Sequence, residues 1–168
     1  GSGSDATGAP ATTTAPASTT TASTTTVAPT IPAGREVEIH VPPGYQDGTP
    51  APLLILLHGT GGDEHQFIDL AAQLRPDARR IGVRGDVSEG GALRYFKRLA
   101  EGRYDMADLA RATEKLAGFV AAVTENPRPA EVMGLGYSNG ANILASVLFA
   151  APERFDRAVL MHPLIPFT

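Results

Sequence analysis

Ser138 stands between two glycines in the segment Gly136-Tyr137-Ser138-Asn139-Gly140. Residues 131–135 before it have the composition of a buried strand, and the apolar residues after it recur at helical spacing. A serine on a tight strand-to-helix turn lifts its hydroxyl above the carboxyl end of a sheet, and glycines beside it avoid collision between strand and helix. This context indicates a serine nucleophile for acyl transfer, with a chance match to a glycine-rich sequence as the alternative.

A second glycine-rich segment, His58-Gly59-Thr60-Gly61-Gly62, follows the continuous apolar run at 53–57. A turn of this kind lets a main-chain N–H face the nucleophile, where a negatively charged oxygen develops during acyl transfer. We therefore expect the main-chain N–H groups of Thr60 and Asn139 to form an oxyanion hole. Taken alone, the segment could equally be an ordinary loop. The glycines that we expect to shape the two turns are Gly59, Gly61, Gly136 and Gly140.

Three further residues are candidates for lining a pocket. His162 comes at the end of a predicted strand, where the sites of open parallel sheets gather. Tyr95 and Phe96 fall in a loop long enough to reach over the pocket. For all three, packing within or beneath a loop is the alternative. We expect His58 to hold its loop by hydrogen bonds rather than to act as a base.

Other site types are disfavoured by spacing. The segment Gly134-x-Gly136-x-x-Asn139 partly matches a dinucleotide-binding turn, but its third glycine is missing and no acid ends a strand about 20 residues later. The acidic residues show no metal-ligand spacing, and there are no cysteines to bind a metal or to act as thiolate nucleophiles. We expect neither a metal nor a cofactor.

The elements that must position these residues alternate along the chain. Strands are predicted at 35–41, 53–57, 80–83, 131–135 and 157–161, and helices at 63–74, at 105–126 and directly after Ser138. Asp63 and Asp105 are the predicted caps of the first two helices. Residues 85–98 are predicted to form a glycine-rich loop. Such alternation indicates an α/β fold whose sheet is mostly parallel and has helices on both faces.

Composition separates a tether from the folded part. Residues 1–33 are dominated by Thr, Ala, Ser and Pro, begin with a Gly-Ser stretch typical of a cloning remnant, and cannot bury enough apolar surface to fold. The folded part is predicted to span 34–168. A Thr/Pro-rich tether is typical of secreted or cell-envelope proteins, whereas an engineered tether leaves a cytoplasmic location open.

Charge and hydropathy exclude two classes of partner. The net charge is −4 and no basic run occurs, which disfavours non-specific nucleic-acid binding. No apolar stretch approaches the roughly 20 residues that a membrane-spanning helix requires. The partner we expect is a small ester substrate.

Four ordered blocks together resemble the phospholipase/carboxylesterase family of α/β-hydrolases, in its small bacterial branch. The resemblance covers about Pro52 to Phe167, and its blocks are 56–64, 94–109, 134–142 and 162–167. It implies a Ser-His-Asp triad, hydrolysis of short carboxylic esters or thioesters, and no cofactor. On this resemblance Ser138 is the nucleophile, and Thr60 and Asn139 donate to the oxyanion.

The resemblance stops short of two catalytic residues, since the family's aspartate and histidine follow later strands. The chain is thus expected to be the N-terminal part of an α/β-hydrolase domain whose sheet is incomplete at its C-terminal side. A second chain, strand exchange with another copy, or a continuation would supply the histidine and the acid. The alternative is a catalytically inactive half-domain that binds a partner through its open sheet edge.

Overall fold

The computed structural model describes residues 31–125 and 128–164. The predicted tether lies outside this range except for 31–33, where Ile31 packs against the core. The strands are β1 (Val37–His40), β2 (Leu53–Leu57), β3 (Arg79–Val83), β4 (Val87–Glu89), β5 (Ala92–Arg94), β6 (Arg98–Ala100), β7 (Arg103–Tyr104), β8 (Val132–Tyr137) and β9 (Arg157–Met161). The helices are α1 (Ile68–Leu74), α2 (Met106–Thr124), α3 (Asn139–Ala150) and a 3₁₀ turn at Pro152–Arg154.

Five strands form the main sheet, in the order β1-β3-β2-β8-β9. Strand β1 is antiparallel to β3, while β3, β2, β8 and β9 run parallel. The parallel register pairs Leu57 with Val83 on one side and with Gly136 on the other. The carboxyl ends of β2, β3 and β8 therefore meet at one edge of the sheet, where the loops that follow them converge.

Helices cover both faces of this sheet, as the alternating pattern predicts. On one face α2 and α3 pack against the side chains of Leu53, Ile55 and Leu57. On the other face α1 packs against Leu54 and Leu56, together with residues of β8. Every residue of β2 is buried, which explains why its sequence is apolar without alternation. Within the described residues, no helix is both long and apolar enough to cross a membrane.

The predicted start of the first helix is wrong. Residues 64–67 form turns, and α1 begins at Ile68. The Asp63 carboxylate accepts a hydrogen bond from the His65 main-chain N–H at 2.9 Å, so it caps a turn rather than the helix. On α1, Ile68 and Ala71 are buried, whereas Leu70 and Leu74 are exposed.

The segment 85–98 is also more regular than predicted. It contains the hairpin β4–β5, and a second hairpin, β6–β7, follows at once. By contrast, Asp105 caps α2 as expected, since its carboxylate accepts a hydrogen bond from the Asp108 N–H at 3.1 Å. The predicted end of that helix at 126–127 lies outside the described residues, and α2 ends at Thr124.

Candidate active site

Ser138 lies on the turn between β8 and α3 and is partly exposed. Its backbone has φ 53° and ψ −113°, a conformation that side-chain-bearing residues rarely adopt. Its main-chain N–H is bonded to the carbonyl of Met161 in β9 at 2.8 Å, so this amide is already occupied. Its side-chain hydroxyl makes no capping bond to α3. The hydroxyl is therefore left at the sheet edge, ahead of a helix whose N-terminus carries partial positive charge.

The glycines around this turn stand where backbones come too close for a side chain. A Cβ at Gly136 would lie 2.5 Å from the carbonyl oxygen of Gly140. A Cβ at Gly140 would overlap the Leu57 carbonyl oxygen and lie 2.5 Å from that of His58. The first turn of α3 is thus pressed against both β8 and the end of β2, which brings the loop after β2 to the serine.

His58 fixes the start of that loop, in agreement with its predicted structural role. Its Nε2 accepts a hydrogen bond from the Gly85 N–H at 2.9 Å, and its Nδ1 lies 2.7 Å from the Gly59 carbonyl oxygen. Because the carbonyl can only accept, the ring is neutral with its proton on Nδ1. Burial lowers the pKa of His58, in keeping with this state.

Thr60 lies at the exposed tip of the same loop. Next to it, the Gly61 N–H donates to the carbonyl of Leu93 at 3.1 Å and the Gly62 N–H donates to that of Gly59 at 2.9 Å. For the main-chain N–H groups of Thr60 and Asn139, the described residues contain no hydrogen-bonded acceptor. The Thr60 hydroxyl accepts a hydrogen bond from Nη1 of the buried Arg94 at 2.7 Å.

Tyr95 and Phe96 pack beneath the loops and do not line a pocket. Their exposed fractions are 1% and 0%. The Tyr95 hydroxyl donates to the Val83 carbonyl at 2.6 Å and accepts from the His58 N–H at 2.9 Å. The Tyr95 N–H donates to Oδ1 of Asn139 at 2.8 Å, which ties the residue after Ser138 to the core.

His162 follows β9 and is exposed, with φ 52°. Its ring meets that of Tyr137 edge to face, with centroids 5.7 Å apart. Two residues later, the Leu164 N–H donates to Oδ1 of the buried Asn142 at 2.7 Å. Asn142 in turn donates to the Tyr104 hydroxyl at 3.0 Å. His162 is thus held beside the serine turn, on a segment anchored to α3.

The remaining histidines lie away from Ser138. His40 is 2.9 Å from a carboxylate oxygen of Glu38, and His65 is 3.8 Å from the other. Among the described residues, no histidine is hydrogen-bonded to Ser138, and no group of three His, Asp or Glu could hold a metal ion.

Comparisons with known proteins agree with this fold. No family model matches the chain. The chain is 47% identical over 124 residues to MhqD of Bacillus subtilis (strain 168), a protein provisionally named a hydrolase, and the match covers 73% of this chain and 62% of that protein. A solved carboxylesterase from Bacillus cereus is 37% identical with a TM-score of 0.71, over 80% of this chain and 63% of that one. The structure of Atu2452, a protein of unknown function from Agrobacterium tumefaciens (strain C58), is 59% identical with a TM-score of 0.68, over 73% and 60%.

The chain has the α/β-hydrolase fold, and these matches support a family of the phospholipase/carboxylesterase type. It spans about three fifths of the length of these relatives. Its mixed sheet with helices on both faces is the α/β-hydrolase arrangement, over the part of the domain present.

Sequence reasoning missed the polar residues that support the site of this α/β-hydrolase. Arg94, Gln66 and Asn142 all bond to loops at the sheet edge, Gln66 by accepting the Gly59 N–H at 3.1 Å. Arg94 is in the predicted loop 85–98 and in the block 94–109 that carries the family resemblance, and these two signals pointed to it. Gln66 and Asn142 lie in segments of ordinary composition, and only their hydrogen-bond partners in the folded chain show their roles.

Proposed function

We propose that this chain carries the nucleophile and the oxyanion hole of a serine carboxylic-ester hydrolase. The observation that carries the proposal is the left-handed backbone of Ser138, at φ 53° on a turn between a buried strand and the 12-residue helix α3. Such strain is kept where it presents a side chain for chemistry. The hydrolase and carboxylesterase names of the relatives support the same reaction class.

In the proposed reaction, Ser138 Oγ attacks the acyl carbonyl carbon of a small ester. The hydroxyl proton passes to a histidine, and the carbonyl electron pair moves onto oxygen. When the carbonyl re-forms, the C–O bond to the alcohol breaks and the alcohol takes that proton. Water, losing a proton to the same histidine, then attacks the acyl-serine, and the acid leaves as Ser138 regains its proton.

The Thr60 and Asn139 N–H groups are the proposed oxyanion donors. Both lie beside the serine turn, one on the loop after β2 and the other at the first position of α3, and the described residues offer neither of them an acceptor. Losing one such donor typically lowers the rate about 10²–10³-fold. The Ser138 N–H cannot share this role because it already donates to the Met161 carbonyl.

The histidine and the acid are proposed to come from outside these 168 residues. Both ring nitrogens of His58 are engaged, one with Gly59 and the other with Gly85 after β3, and His162 packs on Tyr137. Strand β9 is the edge of the described sheet, and Val159 on it is 53% exposed. We propose that a second chain, another copy or a continuation of this chain completes the sheet at this edge and the catalytic triad with it. A catalytically inactive half-domain that binds a partner through this edge is the competing proposal.

The direct test is covalent labelling of the full chain by a fluorophosphonate, with imidazole added as an external base. Intact mass and peptide mapping should find one adduct, on Ser138, and S138A should remove it. The matched control S88A, in the exposed strand β4, should label like the wild type. An unlabelled wild-type chain, or an adduct that survives in S138A, would contradict the hydrolase proposal and favour the binding half-domain.

A further inference from the structure

We propose that Thr60 offers the oxyanion a second donor, its side-chain hydroxyl, and that Arg94 is the positioning residue that aims it. This inference rests on the proposed function, since it concerns the oxyanion of the same reaction. It goes beyond the main-chain donors by assigning roles to two side chains at the site.

The hydrogen bonding of the Thr60 hydroxyl leaves its proton available. The oxygen accepts from Nη1 of Arg94 at 2.7 Å, a short bond from a charged donor. A guanidinium has no acceptor, so the threonine proton cannot be directed back at it. No acceptor for this proton is found in the part of the chain that the structure describes. The hydroxyl proton and the main-chain N–H of Thr60 are therefore both unused at the exposed tip of one loop.

Arg94 is buried and hydrogen-bonded, unlike a solvated surface arginine. Its side chain is 3% exposed, Nε donates to the Phe96 carbonyl at 3.2 Å, and the guanidinium carbon lies 5.7 Å from the centroid of the Phe96 ring. Its nearest carboxylate, Glu89, is 3.6 Å away but bonds to Arg98 at 2.7 Å. The buried charge thus keeps Thr60 as a close hydrogen-bond partner, and a positive charge behind the hydroxyl makes its proton a stronger donor.

The same contacts place the Thr60 loop at the serine turn. A Cβ at Gly59 would lie 2.7 Å from the Tyr137 ring, one residue before Ser138. The Gly61 N–H is fastened to Leu93, the neighbour of Arg94. The loop that bears Thr60 is therefore clamped between the serine turn on one side and strand β5 on the other.

The test compares T60V, T60S, R94K and T60V/R94K in the full chain, with 4-nitrophenyl acetate and a fluorophosphonate as probes and imidazole as base. We expect T60V to lower kcat about 10- to 100-fold with little change in KM, and T60S to stay within about threefold of the wild type. R94K should lower kcat as well. The double variant should be no slower than T60V, because Arg94 acts through the hydroxyl.

Two controls separate the possible failures. T49V removes an exposed threonine hydroxyl that bonds in a remote turn, and R103K changes an exposed arginine of strand β7. Both should react like the wild type, and urea unfolding should show that T60V is folded. If S138A silences the chain but T60V reacts like T60S, or if the R94K and T60V losses multiply, this inference is overturned. If S138A leaves the reaction unchanged, the proposed function itself fails.

Discussion

At the scale of single residues, the site depends on a glycine that has no side chain and on a histidine that carries no charge. A Cβ at position 140 would collide with the carbonyl oxygens of Leu57 and His58, so only glycine fits there. His58 stays uncharged because its Nε2 must accept the Gly85 N–H. Both features fit two loops together so closely that one extra methyl group or one extra proton would displace them.

We expect G140A to destabilise the protein by about 2–3 kcal/mol, since backbone atoms must move to admit the methyl group. Fluorophosphonate labelling of Ser138 should fall with it. The matched control is G118A on the exposed side of α2, where a Cβ meets nothing within 4 Å. That change should stabilise the helix by about 0.5–1 kcal/mol. Urea unfolding of both variants checks the pair, and equal effects would contradict the close approach of α3 to β2.

The second residue prediction concerns pH. Burial lowers the pKa of His58 below its ordinary 6.5, outweighing the opposite influence of Asp63 and Glu64. Below about pH 6.5 the unfolded chain therefore binds a proton at His58 that the folded chain does not bind. The unfolding free energy should fall as the pH drops through this range. H58Q should be less stable at pH 8 and should flatten this dependence between pH 6.5 and 5. An unchanged pH profile in H58Q would show that His58 does not titrate as described.

At the scale of elements, the contacts at the first turn distinguish helices α2 and α3. Helix α2 begins where the Asp105 carboxylate takes the Asp108 N–H. Asp108 then accepts the Lys97 N–H at 2.6 Å, which joins the helix start to the segment beneath the site. Helix α3 has no side-chain cap, since the hydroxyl of Ser138, at its N-cap position, makes no hydrogen bond to the helix.

Removing the cap of α2 should cost stability without removing the serine turn. We expect D105A to lower the unfolding free energy by about 1 kcal/mol and D105N by much less, since asparagine also caps. D47A, in an exposed loop, serves as the control and should be neutral. Urea unfolding gives the energies, and a neutral D105A would mean that the bond from the Asp108 N–H to the Asp105 carboxylate does not stabilise the helix.

At the scale of the whole molecule, the centre of the sheet is buried and its β9 edge is exposed. Strand β2 is buried between β3 and β8, whereas β9 pairs with β8 alone within the described sheet. A small cavity of about 160 Å³ lies beside this edge, lined by Leu54, Met133, Leu135 and Val159 among others. An apolar strand at an open edge is a template for another strand.

We expect the full chain to self-associate through this edge when it is alone in solution. V159K places a charge on the exposed side of β9 and should shift the chain toward monomer in analytical ultracentrifugation. L99K makes the same kind of change at an exposed leucine of β6 and should leave association unaltered. A wild-type chain that is monomeric at all concentrations, or equal effects of the two variants, would rule out β9 as the contact.

Local sequence patterns were enough to predict the alternation of strands and helices, the buried character of β2, the cap of α2 and the serine turn. These features are local: each follows from the period of apolar side chains or from a few neighbouring residues. The start of α1 was predicted wrongly because an aspartate can cap either a helix or a turn, and Asp63 caps a turn.

The polar side chains that support the site could be identified from tertiary contacts alone. Arg94 meets Thr60 across 34 residues, the Gly85 N–H meets His58 across 27, and the Tyr95 N–H meets Asn139 across 44. The same packing put Tyr95 and Phe96 in the core rather than at a pocket. No local pattern encodes such partners, because they are chosen by which loops the sheet brings to its carboxyl edge.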